Sequence, residues 1–229
     1  MKTINICYMI NENYMPLTMK SIENLKRCFR SKKHQLKIYI IGIDDFDVPD
    51  DVTFVKSNYT DLPILWQRVY MPEMLDVDKF IFIDSDTIAM TCVSRLWDID
   101  MGDNVLAAAQ HLQCRTFGEL IKNWPSMNKE PFNVDPELPY FNCGVMMIDC
   151  KRWIDGDYAN KCLDAIKLYT DTPHWGYDEP GYNHVLKHKW YQLNTKWNYL
   201  PLSDKNRKIP YILHYYGEYP TGTPRHNMF

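Results

Sequence analysis

The sequence contains no GxxxxGK[ST] or GxGxxG phosphate loop and no GxSxG elbow. P-loop enzymes, Rossmann-fingerprint dehydrogenases and nucleophile-elbow hydrolases are therefore excluded. None of the seven cysteines falls in a CxxC pair, and Cys143 and Cys150 lack metal-ligand spacing. No apolar run approaches the ~18 residues of a membrane span. Polar Asn and Glu interrupt MKTINICYMINENYM, where a signal peptide would stay apolar. These absences predict a reduced, cytoplasmic protein with free thiols and no membrane span. A net charge of −3 offers no broad attraction for nucleic acid or an anionic membrane. With no internal repeat, low-complexity stretch or linker, residues 1–229 read as one domain.

What is present is globular: 45% hydrophobic and 24% charged, with 14% aromatic residues that suit a large core or flat ligands such as bases and sugars. Strand-like runs occur at Ile4–Ile10, Leu36–Ile43, Val52–Lys56, Lys79–Ile83, Val105–Ala109, Tyr140–Asp149 and Tyr211–Tyr215. Helical spacing runs from Pro16 through Leu17, Ile22, Leu25 and Phe29, over Leu62–Leu75 despite Pro72, over Trp153–Tyr169 and around Pro180–His188. Residues 110–139 show no clear period and read as a long functional loop. The alternation predicts a mostly parallel sheet covered on both faces.

In KFIFIDSDTI, an apolar strand suited to burial on both faces ends in Asp84 and Asp86. Burying two unpartnered carboxylates is costly, so a divalent cation at the strand end is the expected partner, against an acidic turn in water. His214, in YILHYYG, also follows an apolar run. A lone histidine is usually structural, but joined to Asp84 and Asp86 it makes a mixed N/O set that favours Mn²⁺, with Mg²⁺ possible. His184 and His188 lie one helical turn apart without a Glu between them, and Lys187 and Lys189 mark their face as solvated surface.

FIFIDSDTI after WQRVYMPEML, then YFNCGVMMIDCKRW, WNY and ILHYYG, resembles the family 8 nucleotide-sugar glycosyltransferases, including glycogenin and lipopolysaccharide galactosyltransferases. The resemblance spans about residues 4–220, and the motifs are specific together rather than singly. It implies a single-domain GT-A fold: a mostly parallel α/β sheet flanked by helices, with a smaller acceptor-side sheet. Residues of about 1–100 would bind nucleotide and those of about 101–229 the acceptor.

By position, Tyr14 would stack on uracil, with Met9, Asn11 and Asn13 around base and ribose. Arg68 matches the arginine reaching the donor sugar and diphosphate, and Ser85 lies near the ribose. Asp84, Asp86 and His214 match the metal ligands. Asn142 and Cys143 match the pair facing the donor sugar, and Gly217 would lie against the diphosphate. Asp178 would hydrogen-bond the transferred sugar.

Two positions depart from the family. Glu179 replaces a glutamine often found on the β-face of the anomeric carbon, where a carboxylate permits nucleophilic retention or general-base inversion. The lysine expected after HYYG is missing, and Arg225 is the nearest substitute.

The resemblance implies transfer of a hexosyl unit from a UDP-sugar to a glycan or other hydroxyl acceptor, with retention. Two alternatives stand beside it. DSDTI approaches the first motif of haloacid-dehalogenase phosphatases, although Ile88 departs from it and no GDxxxD follows. A silent sugar-nucleotide-binding module is the other.

Overall fold

Successive residues of β1 (Lys2–Ile10) and β2 (His34–Gly42) enter two different cores, because side chains alternate across a strand. Ile4, Ile6, Tyr8, Ile38 and Ile40 join one core, while Cys7, Tyr39 and Ile41 join the other. The continuous apolar runs of the sequence are thus strands buried on both faces. Each fully buried Ile or Phe contributes roughly 1.5–3 kcal/mol by transfer from water. The computed structural model describes residues 1–123, 125, 134–170, 178–201 and 209–215.

Among the described residues, β1, β2, β3 (Val52–Lys56) and β4 (Lys79–Ile83) are followed by a short β5 (Thr87–Ala89) and by β6 (Leu106–Gln110). Then come β7 (Phe141–Asp149), β8 (Trp190–Leu193) and β9 (Ile212–His214). Seven of these form one sheet in the order β3-β2-β1-β4-β7-β6-β8, parallel except where β7 runs against its neighbours β4 and β6. A second sheet pairs β5 with β9.

The helices are α1 (Met15–Cys28), α2 (Ile64–Gln67), α3 (Met71–Met74), α4 (Ser94–Trp97) and α5 (Phe117–Asn123). They are followed by α6 (Cys150–Asp155), α7 (Tyr158–Thr170) and α8 (Glu179–Leu186). Ile22 and Leu25 of α1 cover one face of the large sheet. Trp153, Cys162, Ile166, Tyr182 and Leu186, from α6 to α8, cover the other.

Four expectations change. The helix expected over Leu62–Leu75 divides into α2, a 3₁₀ turn at Arg68–Tyr70 and α3. Pro72 has no N–H to donate, so the helix restarts with that proline in its first turn. The helix expected from Trp153 starts at Cys150, capped by Asp149, whose Oδ1 accepts from Arg152 N at 2.9 Å. It breaks at Gly156 and Asp157, where Asp157 takes a φ of 51°. The loop expected over 110–139 carries α5, anchored by Phe117 and Leu120 against Tyr140 and Cys114. Strands β5 and β8 had no counterpart in the sequence reading.

Near the site, β7 bulges. Ala108 pairs with Met146 and Ala109 with Asn142, so Cys143, Gly144 and Val145 leave the β6 ladder. All seven cysteines are free. Among the described residues, no helix is long and apolar enough to cross a membrane.

Candidate active site

The two aspartates sit on the turn between β4 and β5. Asp84 N donates to Gly144 O at 2.8 Å as the last link of the ladder, and Thr87 Oγ1 donates to Asp84 O at 2.8 Å. Pairing of β5 with β9 places Thr87 opposite His214, and Tyr215 N donates to Asp86 O at 2.9 Å. The small sheet is therefore what delivers the histidine. His214 Nε2 lies 3.1 Å from Asp86 Oδ1 and 3.8 Å from Asp84 Oδ2. Ligand atoms of Asp84, Asp86 and His214 all fall within 4.8 Å of one another, the clustering a divalent cation requires. Burial raises the Asp84 pKa despite Arg68 and His214 nearby. For His214 burial acts to lower the pKa, but Asp86 and Asp84 outweigh it and the pKa is raised.

Arg68 leaves the broken helix to lie under the aspartates. Its Nη2 is 3.4 Å from Asp84 Oδ1 and its Nε 3.3 Å from Asp178 Oδ2, while Nη2 donates to Cys143 O at 3.3 Å. The guanidinium carbon stands 4.4 Å from the Phe82 ring centroid, a cation–π arrangement. Burial works against its charge, and the carboxylates of Asp178 and Asp84 overcome that. Asp178 is pushed up to about 6 by burial, with Arg68 pulling it down. It remains mostly a carboxylate at neutral pH.

Glu179 opens α8, aimed at the β7 bulge. Its Oε2 accepts from Asn142 Nδ2 at 2.9 Å and from the Cys143 backbone N at 3.1 Å. His111 Nε2 lies 3.8 Å from Oε1, and Tyr140 also hydrogen-bonds the carboxylate. Burial pushes Glu179 up to about 8, against the Cys143 N–H and with Asp178 adding to the rise. Asn142 is bridged to His214 by the buried amide of Asn198.

Arg68, Asp84, Asp86, Asn142, Asp178, Glu179 and His214 thus form one connected set. Cys143 joins it through its backbone alone, since its thiol belongs to the apolar core. Ser85 Oγ is 2.7 Å from Thr18 Oγ1, which in turn donates to Tyr14 O at 2.9 Å, linking the proposed base-binding turn to the aspartates. Asn11 has a buried Oδ1 with no hydrogen-bond partner. Met9 is half-buried against the α6–α8 side, and Asn13 is exposed. Gly217 and Arg225 lie outside the described residues.

Sequence reasoning missed His111 and quoted Tyr140 and Asn198 only within the YFNCG and WNY motifs, without a role for either. His111 directly follows the VLAAAQ strand, the same signal that drew attention to Asp84 and His214.

Residues 2–219 match the family model described as Glycosyl transferase family 8. General stress protein A of Bacillus subtilis (strain 168) is 26% identical over 137 residues, covering 58% of this chain and 44% of that protein. The probable galacturonosyltransferase-like 4 of Arabidopsis thaliana is 29% identical over 193 residues, covering 69% and 53% respectively. The chain thus spans about half the length of these curated relatives.

Among solved structures, an active-site glutamine-to-glutamate mutant of LgtC superposes with a TM-score of 0.73 at 18% identity, covering 94% of this chain and 88% of that one. The galactosyltransferase LgtC with donor and acceptor sugar analogs gives a TM-score of 0.71 at 17% identity, over 93% and 87%. With the family model matching residues 2–219 of the chain and this architecture shared, the chain belongs to glycosyl transferase family 8 and has the GT-A fold.

Proposed function

We propose that the chain transfers a hexosyl unit from a UDP-sugar, glucose- or galactose-like, to a hydroxyl of a glycan or other acceptor. One observation carries this reading: the ligand atoms of Asp84, Asp86 and His214 converge within 4.8 Å beside Arg68, Asp178 and Glu179. Family membership supports it and sets aside the phosphatase alternative. The galactosyltransferase bound to donor and acceptor analogs supports a sugar donor.

Two carboxylates and one imidazole fit a borderline divalent ion, so Mn²⁺ is favoured over Mg²⁺. When bound, such an ion would neutralise the charge gathering on the departing UDP. Arg68 supplies a second, permanent positive charge there, held ready by Asp178 and Asp84. Tyr14 stacks on uracil, with Met9, Asn11, Asn13 and Ser85 around base and ribose. Asn11 Oδ1, which has no hydrogen-bond partner, would accept from the base or ribose.

Asp178 accepts hydrogen bonds from the sugar hydroxyls, next to Asn142 and the Cys143 backbone. The Glu179 carboxylate, fixed by several donors, steadies the oxocarbenium-like centre on its β-face, and transfer proceeds with retention. Residues of about 1–100 form the nucleotide half. The acceptor enters through the half of about residues 101–229, and Gly217 and Arg225 would serve the diphosphate. Seven free thiols suit a reducing, cytoplasmic setting.

The test is a panel of nucleotide sugars with Mn²⁺, scored by thermal shift and by slow hydrolysis. UDP-glucose or UDP-galactose should raise the melting temperature and release UDP. If no nucleotide sugar shifts melting or is hydrolysed, the proposal fails.

A further inference from the structure

The backbone N–H of Gly144 sets the polarity of a buried hydrogen-bond chain joining the cation cluster to Glu179. A backbone N–H only donates, so the Asn142 atom 3.0 Å from it is the amide oxygen. That oxygen accepts a second bond from Asn198 Nδ2 at 2.6 Å. Asn198 therefore turns its own oxygen toward His214 Nδ1, 2.8 Å away, and an amide oxygen only accepts. Nδ1 must then carry a proton, which leaves Nε2 to face Asp86 and Asp84. At the other end, Asn142 is left with its NH₂ group toward Glu179 Oε2. Each amide has one orientation that satisfies every link.

Asn142, Asn198 and His214 are 3%, 1% and 2% exposed, so the chain of bonds is shielded from bulk solvent. The 3₁₀ turn Thr195–Asn198, capped by Asn194 Oδ1 on Lys196 N at 3.0 Å, holds Asn198 in place. His214 N donates to Tyr199 O at 2.9 Å, tying that turn to β9.

We propose that Asn198 is a positioning residue that couples the two ends of the site. Its oxygen fixes the tautomer and aim of His214 toward a divalent cation. Its NH₂ group fixes the Asn142 amide that holds Glu179. This rests on reading Asp84, Asp86 and His214 as the cation site. Neighbours of a metal-bound histidine typically change metal affinity by 10–100-fold when removed.

The two duties of Asn198 separate by one atom. Asn198→Asp keeps an acceptor for His214 Nδ1 but offers no donor to Asn142, whose amide oxygen would then face a carboxylate oxygen. Asn198→Ala removes both functions. The experiment measures Mn²⁺ affinity by electron paramagnetic resonance, turnover of the UDP-sugar that the wild type hydrolyses, and melting to confirm folding.

Asn198→Ala should weaken Mn²⁺ binding by at least ~10-fold and lower kcat. Asn198→Asp should keep Mn²⁺ affinity within about threefold, yet lower kcat by at least ~30-fold with little change in the donor KM. An Asn198→Asp protein that loses Mn²⁺ as severely as Asn198→Ala, or that turns over like wild type, overturns the coupling. A wild type that binds no Mn²⁺ overturns the cation reading, and the coupling with it. Because Asn198→Asp is nearly isosteric, the split stays decisive even if Asn198→Ala does not fold.

Discussion

His111 presents Nε2 to Glu179 Oε1 across 3.8 Å, while its Nδ1 accepts from the backbone N–H groups of Gln113 and Cys114, each at 3.1 Å. With Nδ1 committed as an acceptor, the single proton of the neutral ring sits on Nε2, facing the carboxylate. Protonating Nδ1 would break both bonds. The imidazole is accordingly pushed down to about 4, by burial first and by His214 second.

This yields a prediction for acid stability. The unfolded chain binds a proton at His111 near the ordinary imidazole value of 6.5, and the folded chain only near 4. Between those values the unfolded state holds more protons, so stability falls as pH drops through that window. His111→Gln should flatten the acid-side decline by about 1–2 kcal/mol between pH 7 and pH 5. Denaturant midpoints at the two pH values check this, and equal losses in both proteins would contradict it.

Gly144→Ala probes the closest approach in the site. A Cβ on Gly144 would overlap the Cε1 and Nδ1 atoms of His214 and crowd Asn142 Oδ1. The imidazole must leave its present position, while the flanking β4–β7 ladder remains. Mn²⁺ affinity should fall by at least ~10-fold with far-UV circular dichroism unchanged. Wild-type affinity in the variant would show that His214 is not a ligand.

Much of this was legible in the sequence, for identifiable reasons. Runs such as KFIFI and FNCGVMMID are continuous because their strands are buried on both faces, and Asp84 and Asp86 stand out as carboxylates ending such a run. The run Tyr211–Tyr215 was read as a strand and holds β9, but the three-residue β5 is too short to show a period, so nothing local announced the pairing that brings His214 to Asp86. Arg68 was assigned to the donor diphosphate by resemblance, but its burial between Asp84 and Asp178 depends on the 3₁₀ turn before the helix restarts at Pro72, which no helical period shows. Asn198 and Tyr140 act through partners 56 and about 40 positions away, a separation no spacing rule reaches.

Asp86→Ala removes the carboxylate nearest His214. It should abolish measurable Mn²⁺ binding and lower turnover by at least ~100-fold while the fold persists, and chelation by EDTA should do the same to the wild type. Full activity after exhaustive chelation rules out the metal assignment.

Tyr14 occupies the 3₁₀ turn after β1, next to Asn11 and linked through Thr18 to Ser85. Stacking on a base contributes roughly 1–3 kcal/mol, so Tyr14→Ala should weaken UDP binding by about tenfold or more. Calorimetry with UDP, GDP and CMP decides both parts. Tighter GDP or CMP binding in the wild type would reject the uridine assignment.

Glu179→Gln tests the carboxylate that opens α8. Glu179 Oε2 accepts from Asn142 Nδ2 and Cys143 N, and Oε1 faces His111 Nε2. A glutamine can present its oxygen to only one of these sides. Its NH₂ group would confront a donor on the other, and His111 cannot change tautomer without abandoning the N–H groups of Gln113 and Cys114. Donors thus line both sides of the carboxylate.

Burial sets the cost of that charge, raising Glu179 from 4.5 to about 8. Between those values the folded state holds more protons than the unfolded one, so the native carboxyl costs stability increasingly as pH rises toward 8. Glu179→Gln should accordingly gain stability relative to wild type on going from pH 5 to pH 8. Its turnover should nevertheless fall by at least ~100-fold with UDP-sugar affinity barely changed, because the lost charge acts on the positive centre of the transition state. Wild-type turnover should rise with pH as Glu179 ionises, and the variant should lose that limb of the profile. NMR of the product linkage should show retained configuration. A variant that turns over like wild type would reduce Glu179 to a lining residue and leave charge stabilisation to Asp178.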